Sequence, residues 1–470
     1  MNSIRRIACV MFGMLVSAWL SGADRKPNVV LIMVDDASWE CFGSYGAVDY
    51  KTPHLDKLAS VGLQFDHCYS TPICTTSRVK LMTGQYNFRN YTHFGYLNPK
   101  EKTFGHMMQD AGYKTAIAGK WQLNGLYHSA PNSLDKTRPL KAGFDESLLW
   151  QVTTGKSKNN GGGERYWNAP LEHNGETISS ETNYGKYGPD LFTDFVCDFM
   201  ERNQEDPFFV YYPMVLVHDV FVPTPDTIGD TPLENANIMP KEPHLRKKHF
   251  VAMVNYMDKL IGRIVGKIED LGLGKDTIVL FTADNGTDTK ITSNWNNLEF
   301  KGGKGGTTDR GTHVPFIAYW KGHTPKGAVT NDLIEFTDFY ATLADAAGVG
   351  LGVDDPLDGI SFLPQLNGKK GETREWQLNH YQPYWGPMPG QYIRTRDYKL
   401  YRDRRLIHVT QDLFEETDVS QSKNPAVVTV KEELQTLLNQ IPPVVEGKGD
   451  VRTKQRPVYP GIENLLDEAD

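Results

Sequence analysis

The stretch "NVVLIMVDD" runs from Asn28 to Asp36 and decides how the chain is expected to fold. Its apolar residues form a continuous run instead of alternating with polar ones, which is typical of a strand buried on both faces of a parallel sheet. Two aspartates follow at the carboxyl end of that strand, where open α/β sheets bind their ligands. We therefore expect Asp35 and Asp36 to belong to a site, although helix capping and turn formation are the alternative use of such a pair.

Similar apolar runs recur along the chain and alternate with segments of helical periodicity. The predicted strands are "KTAIAG" (114–119), "FFVYYPMVLV" (208–217), "TIVLFTA" (277–283) and "PFIAYW" (315–320), and the predicted helices include "PHLDKLASVG", "GPDLFTDFVCDFMERN" and "HFVAMVNYMDKLIGRIVGKIEDLG". Alternating strands and helices indicate an α/β fold with a large, mostly parallel sheet and helices on both of its faces.

The pattern of apolar and charged residues changes near Trp376. Short β-like stretches broken by charged turns are followed by "AVVTVKEELQTLLNQI", which predicts a small antiparallel sheet with one helix. We therefore divide the chain into a main domain (24–375) and a C-terminal subdomain with a polar tail (376–470). The Gly-, Asn- and Ser-rich stretch from Gln151 to Gly188 is expected to form long surface loops.

The first 23 residues are typical of an export signal. Arg5 and Arg6 precede the apolar run "IACVMFGMLVSAWL" and a small-residue cleavage site that ends at Ala23. The run is shorter than the roughly 20 residues that span a bilayer, so a membrane anchor is the weaker alternative. We expect export to the periplasm or the extracellular space, with no membrane contact once residues 1–23 are removed.

The net charge and the number of cysteines exclude some classes of partner and of protein architecture. The chain carries a net charge of −8, which argues against nucleic acid as a partner, so an anionic substrate would need a local cluster of cations. One of the five cysteines, Cys9, lies in the signal segment. The other four are too few for a disulfide framework in so long a chain, and a single bridge between two of them stays open.

Polar side chains follow four of the predicted strands. Asp35 and Asp36 end one, Asp284 and Asn285 end a second, and Lys120 and His218 follow two others, so all should meet at one edge of the sheet. Carboxylate and amide oxygens form a hard ligand set, which suits Ca²⁺ or Mg²⁺ better than zinc.

Cys74 stands in "TPICTTSRVKLMTG" (71–84), at the predicted start of a helix. It is a buried core thiol, half of a disulfide, or a residue that takes part in chemistry. A thiolate is too soft a ligand for a hard cation, so an oxygen nucleophile at this position would match the neighbouring carboxylates better. A helix N-terminus also favours an anion there.

These motifs resemble those of the type I sulfatases in the alkaline phosphatase-like superfamily, from about Lys26 to the end of the C-terminal subdomain. "CTTSR" matches their C-x-P/A-x-R motif at Cys74 and Arg78. The other matching segments are "PNVVLIMVDD", "GKW", "FTADNG", "KGGKGGTTDRGTHVPFI", "YIRTRDYKLY" and "QDLFEETDVSQSKNP". The resemblance implies an alkaline phosphatase-like fold and the hydrolysis of sulfate esters.

The resemblance also implies roles for individual residues. In this family a maturation enzyme oxidises the motif cysteine to formylglycine, whose hydrate attacks sulfur, so Cys74 is expected to become formylglycine and Ca²⁺ to be the cofactor, with Mg²⁺ as the alternative. Arg78 would steady the nucleophile, Lys120 and Lys304 would hold sulfate oxygens, and His218 would protonate the leaving alkoxide or bind sulfate. The implied metal ligands are Asp35, Asp36, the modified Cys74, Asp284 and Asn285, and the implied catalytic residues are Cys74, Arg78, Lys120, Gln122, His218 and Lys304.

Two positions depart from the family pattern. Thr76 stands where the modification motif has proline or alanine, which places recognition by the maturation enzyme in question. Gln122, in "GKWQLN", replaces the usual histidine and cannot accept a proton at neutral pH. Altered rate or pH dependence is therefore expected.

We accordingly predict an exported, calcium-dependent sulfatase that acts on a sulfated carbohydrate, with small aryl or alkyl sulfates as alternative substrates. Two other functions stay open: a phosphate or phosphonate ester hydrolase of the same superfamily, and a non-catalytic binding protein with unconverted Cys74. Five aromatic residues either form a sugar-stacking rim or pack the domains together: Tyr166, Trp167, Tyr381, Tyr384 and Trp385.

Overall fold

The computed structural model describes residues 25–126, 130, 132–154, 163–352, 355–382 and 389–444. The predicted signal segment (1–23), the end of the polar tail, Tyr384 and Trp385 lie outside these residues. Over the described ranges, no helix is both long and apolar enough to cross a membrane.

Within the described ranges the strands form three sheets. In chain order they are β1 (Asn28–Val34), β2 (Leu63–Tyr69), β3 (Lys114–Lys120), β4 (Glu146–Trp150), β5 (Leu171–His173), β6 (Glu176–Ile178), β7 (Phe208–Pro213), β8 (Thr277–Ala283), β9 (Thr292–Trp295), β10 (Leu298–Lys301), β11 (His313–Trp320), β12 (Ala328–Glu335), β13 (Gln377–Tyr381), β14 (Gly390–Arg394), β15 (Tyr398–Tyr401) and β16 (Leu406–His408). The large sheet has ten strands in the order β12-β2-β11-β8-β1-β7-β3-β4-β5-β6.

The centre of the large sheet is parallel. Strands β8, β1, β7, β3 and β4 run in one direction, and every residue of β1, β7 and β8 is buried. Strand β11 lies antiparallel to both β8 and β2, and β5 and β6 add an antiparallel edge. The predicted α/β fold with a large, mostly parallel sheet is thus confirmed, with antiparallel pairings toward both edges.

Two groups of helices flank this sheet. In one group α7 contacts both α1 and α6, and in the other α9 contacts α2, α4 and α10. The helices are α1 (Pro53–Val61), α2 (Cys74–Thr83), α3 (Asn87–Asn90), α4 (Phe104–Asp110), α5 (Arg138–Lys141), α6 (Gly188–Arg202), α7 (Pro243–Asp270), α8 (Asp309–Thr312), α9 (Thr337–Ala346), α10 (Leu363–Leu366) and α11 (Pro425–Asn439).

The C-terminal residues form the predicted small sheet. Strands β13 to β16 pair antiparallel in sequence order, and α11 packs on β14 and β15. Leu434 and Leu438 of α11 share a buried cluster with Leu378, Ile393 and Leu400 of the sheet. This cluster supplies the small sheet with an apolar face to bury.

Two local predictions are wrong. The strand predicted over 208–217 ends at Pro213, because proline lacks the N–H that a central strand donates to its neighbour. Part of the stretch from Gln151 to Gly188 is not surface loop, since it supplies β5 and β6 and buries Tyr166 and Trp167.

Candidate active site

The carboxyl ends of β1 and β8 bring four oxygen-bearing side chains together. Val34 pairs with Ala283, so Asp35 and Asp36 lie beside Asp284 and Asn285. The Asp36 amide donates to Asp284 Oδ1 at 3.1 Å, and Asn285 Nδ2 donates to Asp36 Oδ1 at 2.8 Å. All four residues are completely buried.

This group of oxygens fits a hard cation. Asp35 Oδ1, Asp284 Oδ2 and Asn285 Oδ1 are buried acceptors that receive no hydrogen bond from any described residue. Buried acceptors are nearly always satisfied, and carboxylate and amide oxygens are the preferred ligands of Ca²⁺ and Mg²⁺. Ligand atoms of Asp35, Asp36 and His218 also lie within 4.8 Å of one another, so the arrangement forms an acidic site that suits a metal ion.

Three cationic or titratable side chains surround the acidic group. Lys120, the last residue of β3, places Nζ 2.7 Å from Asp35 Oδ2 and is fully buried. Lys304 Nζ lies 2.5 Å from Asp36 Oδ2 and 3.0 Å from His218 Nε2. The edge therefore offers the local positive charge that an anionic substrate requires in an acidic protein.

Cys74 begins α2 at the same edge, as predicted. Its Sγ donates to Gln122 Oε1 at 3.6 Å, and the thiol is buried. One turn later, Arg78 donates through Nη1 to the Lys120 carbonyl at 2.6 Å and places Nε 3.7 Å from Asp284 Oδ2. Helix α2 thus connects the cysteine to the carboxylates and to the end of β3.

The buried ionisable groups of the site have pKa values shifted in opposite directions. Burial raises the pKa of Asp284 well above its usual range, and the nearby Asp35 carboxylate adds to this effect. For Asp35 itself burial acts the same way, but the charges of Lys120, His218 and Arg78 outweigh it and hold the pKa below its ordinary value. Burial raises the pKa of the Cys74 thiol, which keeps it protonated and a poor nucleophile.

A sulfatase family model matches residues 27–349. The chain belongs to the sulfatase family. It is 29% identical to mouse N-acetylgalactosamine-6-sulfatase over 388 residues, which cover 77% of this chain and 70% of the relative. It is also 29% identical to human arylsulfatase A over 402 residues, covering 80% of this chain and 75% of the relative.

A solved structure shows the same fold. The crystal structure of Ps i-CgsB in complex with k-i-k-neocarrahexaose aligns with a TM-score of 0.71 at 24% identity, covering 88% of this chain and 93% of that one. The structural match shows the alkaline phosphatase-like fold that the motifs indicated, and the family model and the relatives above make the chain a sulfuric ester hydrolase.

This sulfatase brings every predicted site residue to one sheet edge. Asp35 and Asp36 directly follow β1, Asp284 and Asn285 directly follow β8, and Lys120 ends β3. Helix α2 supplies Cys74 and Arg78, and the remaining three come from connecting segments: Gln122, His218 and Lys304. Their chemical roles stay predictions.

The sequence did not reveal what holds His218 in place. Its Nδ1 lies 3.0 Å from Asp219 Oδ1, and Lys290 Nζ lies 2.9 Å from Asp219 Oδ2. Burial would raise the pKa of Asp219, but its hydrogen bonds with His218 and Lys290, together with their electrostatic effect, hold this pKa below its usual range. The adjacent Asp219 was a visible candidate, whereas Lys290 is remote in sequence and gave no signal.

The aromatic residues divide between packing and the site. The Tyr166 hydroxyl donates to the Val215 carbonyl at 3.0 Å, and Trp167 Nε1 donates to the Pro223 carbonyl at 2.9 Å. These two residues therefore pack the protein interior instead of forming an open rim. Tyr381, at the end of β13, is also buried but packs against Cys74.

Proposed function

We propose that this sulfatase is an exported, calcium-dependent hydrolase of sulfate esters on a carbohydrate, and that it acts through a formylglycine made from Cys74. The observation that best supports the proposal is the position of Cys74. It begins α2 at the edge where the carboxylates that follow β1 and β8 meet Lys120 and Lys304.

Four residues would hold the cation together with the converted Cys74: Asp35, Asp36, Asp284 and Asn285. The metal would polarise the sulfate group, and the converted residue would supply an oxygen nucleophile. The buried oxygens described above support Ca²⁺, because a hard cation satisfies acceptors that their protein neighbours leave unpaired. Mg²⁺ remains the alternative, since it takes the same ligand atoms.

The surrounding cations would bind the substrate. Lys120 and Lys304 donate charge-assisted hydrogen bonds to sulfate oxygens, which strengthen as charge develops in the transition state. His218 Nε2 lies 3.0 Å from Lys304 Nζ and protonates the leaving alkoxide at the same place, or binds sulfate. Arg78 fixes the geometry of the reaction centre through Asp284 and the Lys120 carbonyl.

Gln122 would orient the nucleophile without taking its proton. Its Oε1 already accepts from Cys74 Sγ at 3.6 Å. A glutamine side chain hydrogen-bonds a hydroxyl but has no basic nitrogen, so proton transfer falls to other groups.

Maturation would precede folding. The Cys74 side chain is only 2% exposed, so a maturation enzyme must act on the chain while it is unfolded. Thr76 fits the folded helix, because its hydroxyl donates to the Ile73 carbonyl at 2.9 Å. We therefore expect Thr76 to matter at recognition by the maturation enzyme and not in the folded protein.

Similarity to relatives supports a carbohydrate substrate. One relative is an N-acetylgalactosamine-6-sulfatase, and a structural neighbour is a complex with k-i-k-neocarrahexaose. Export is supported by the sequence of residues 1–23, and we keep the division into a catalytic domain (24–375) and a C-terminal subdomain with tail (376–470).

The decisive test combines peptide mass with kinetics. Conversion of Cys74 lowers the mass of its peptide and removes its reaction with thiol reagents. We expect Cys74→Ala to lower kcat/KM for an aryl sulfate by more than about a thousandfold, with Cys197→Ala on α6 as the matched cysteine control. Chelation should abolish activity and added Ca²⁺ should restore it.

Two results would contradict the proposal. An unmodified Cys74 in fully active protein would exclude the formylglycine route. Faster turnover of the phosphate ester than of the sulfate ester of the same phenol would favour the phosphate or phosphonate hydrolase instead. A screen of sulfated saccharides then tests the carbohydrate assignment, and the mass of the mature N-terminus tests export.

A further inference from the structure

Tyr381 connects the small sheet to the reaction centre. It is the last residue of β13, and it packs in one buried cluster with Ile73 and Cys74 at the start of α2. Its side chain is completely buried. The ring therefore lies against the start of α2, beside the residue predicted to become the nucleophile.

The Tyr381 hydroxyl has no hydrogen-bond partner within the described part of the chain. Buried hydroxyls usually find a partner, because leaving one unsatisfied destabilises the folded protein. Tyr392 on the neighbouring strand β14 follows this rule, since its hydroxyl donates to Thr312 Oγ1 at 3.0 Å. An unsatisfied hydroxyl on a side chain that packs against the proposed nucleophile is typical of a group that binds a ligand.

We propose that Tyr381 is a substrate-binding residue whose hydroxyl donates a hydrogen bond to an oxygen of the bound sulfate group. The inference rests on the proposed role of Cys74. A neutral phenol can donate to a sulfate oxygen, and the anionic acceptor makes such a bond stronger than one between neutral groups. The small sheet would then contribute directly to substrate binding.

The test compares two buried tyrosines of the same sheet. Tyr381→Phe should lower kcat/KM for an aryl sulfate about ten- to hundredfold, the range for a hydrogen bond to a charged group. It should raise the inhibition constant of inorganic sulfate, the probe for this contact, by a similar factor. Its melting temperature should be unchanged or higher, because the variant removes an unsatisfied buried hydroxyl.

Tyr392→Phe is the control and should behave in the opposite way. It loses a satisfied hydrogen bond, so its melting temperature should fall while its kinetics stay those of the parent. Cys74→Ala is measured alongside to separate this inference from the proposed function.

Four outcomes would overturn an assignment. Parental kinetics and sulfate inhibition in Tyr381→Phe, with Cys74→Ala inactive, would reject the role of Tyr381 and leave the proposed function standing. A fall in kcat without any change in sulfate inhibition would show that the hydroxyl does not bind the sulfate group. An unfolded Tyr381→Phe would show that the hydroxyl has a structural partner, and an active Cys74→Ala would reject the proposed function itself.

Discussion

Gln122 is the residue at which the reaction centre departs most directly from the family pattern. Its Oε1 accepts from the Cys74 thiol, at the position where the resemblance implies a histidine. Gln122→His would add an imidazole with an ordinary pKa of about 6.5, which can accept a proton from the nucleophile once it is neutral. We expect the pH–rate profile for an aryl sulfate to gain a limb near that pH, with faster turnover above it. An unchanged profile would contradict the prediction that glutamine at this position, in place of histidine, alters the pH dependence.

Asp219 is a second residue whose substitution should change the kinetics of the enzyme. It contacts His218 Nδ1 and is itself held by Lys290, so it keeps His218 Nε2 directed at Lys304. We expect Asp219→Asn to lower kcat/KM about tenfold or more, because small misplacements of reacting groups are costly. The pH–rate profile should shift as well, which a purely structural defect would not cause.

Asp226 provides the control for this prediction. It lies in the same connecting segment and pairs with the exposed Lys259 at 2.7 Å. Since exposed ion pairs contribute little, Asp226→Asn should keep parental kinetics. Equal losses of kcat/KM in Asp219→Asn and Asp226→Asn would mean that any change in this connecting segment lowers activity. The contact of Asp219 with His218 would then have no specific role.

Helix α2 can be tested through its first turn. The Thr76 N–H belongs to the first turn of the helix, where amides have no partner within the helix, so proline can be accommodated there. Thr76→Pro restores the family motif and should raise the converted fraction of Cys74, measured by peptide mass. Its cost is the loss of two buried hydrogen bonds of Thr76 Oγ1, one to the Ile73 carbonyl and one with Thr71 Oγ1, each worth about 1 kcal/mol. An unchanged converted fraction would show that Thr76 does not limit maturation.

Strand β11 carries a group that makes stability depend on pH. Burial lowers the pKa of His313 to about 3, and its ring stacks on Trp39 with centroids 4.2 Å apart. In the unfolded chain histidine titrates near 6.5, so between about pH 6.5 and 3 only the unfolded state binds this proton. Stability should therefore fall as the pH decreases through this window.

A His313→Gln variant isolates that contribution. It should be less stable than the parent at neutral pH, but its unfolding free energy should decline less steeply below about pH 6.5, by up to about 1.4 kcal/mol per pH unit. Denaturant unfolding at several pH values measures both slopes. Identical slopes would show that His313 is not buried in its neutral form.

For the molecule as a whole, the features that the sequence could predict are those that depend on residues adjacent in the chain. Each buried strand and the polar residues after it are adjacent in sequence, so the meeting of Asp35, Asp284 and Lys120 followed from sheet geometry alone. Contacts made by remote segments were not accessible in this way. The contact of Lys290 with Asp219 depends on how connecting segments fold over the sheet edge, and the burial of Tyr381 against Cys74 depends on how the small sheet packs there. No local periodicity records either contact.

A buried ionic cluster joins the small sheet to the segment that carries Lys304. The sequence did not predict it, because its residues are also remote from one another in the chain. Arg394 Nη1 and Lys399 Nζ lie 2.8 and 3.1 Å from the carboxylate of Asp309, which follows Lys304 by five residues. Glu415 Oε1 accepts from the Asp309 amide at 2.7 Å and lies 2.9 Å from Lys399 Nζ. The small sheet thereby holds the start of α8 and positions the segment that leads to it.

Glu415→Gln tests whether this cluster serves the active site as well as the fold. Removing one charge from a buried ionic group leaves Lys399 incompletely compensated, so we expect a loss of about 3 to 5 kcal/mol in unfolding free energy. If the cluster also positions Lys304, KM for the sulfate ester should rise at temperatures where the variant is fully folded. Glu146→Gln, which breaks an exposed pair with Arg202, should cost less than about 1 kcal/mol and leave KM unchanged. If Glu415→Gln is destabilised but keeps the parental KM, the cluster only holds the two sheets together and does not position Lys304.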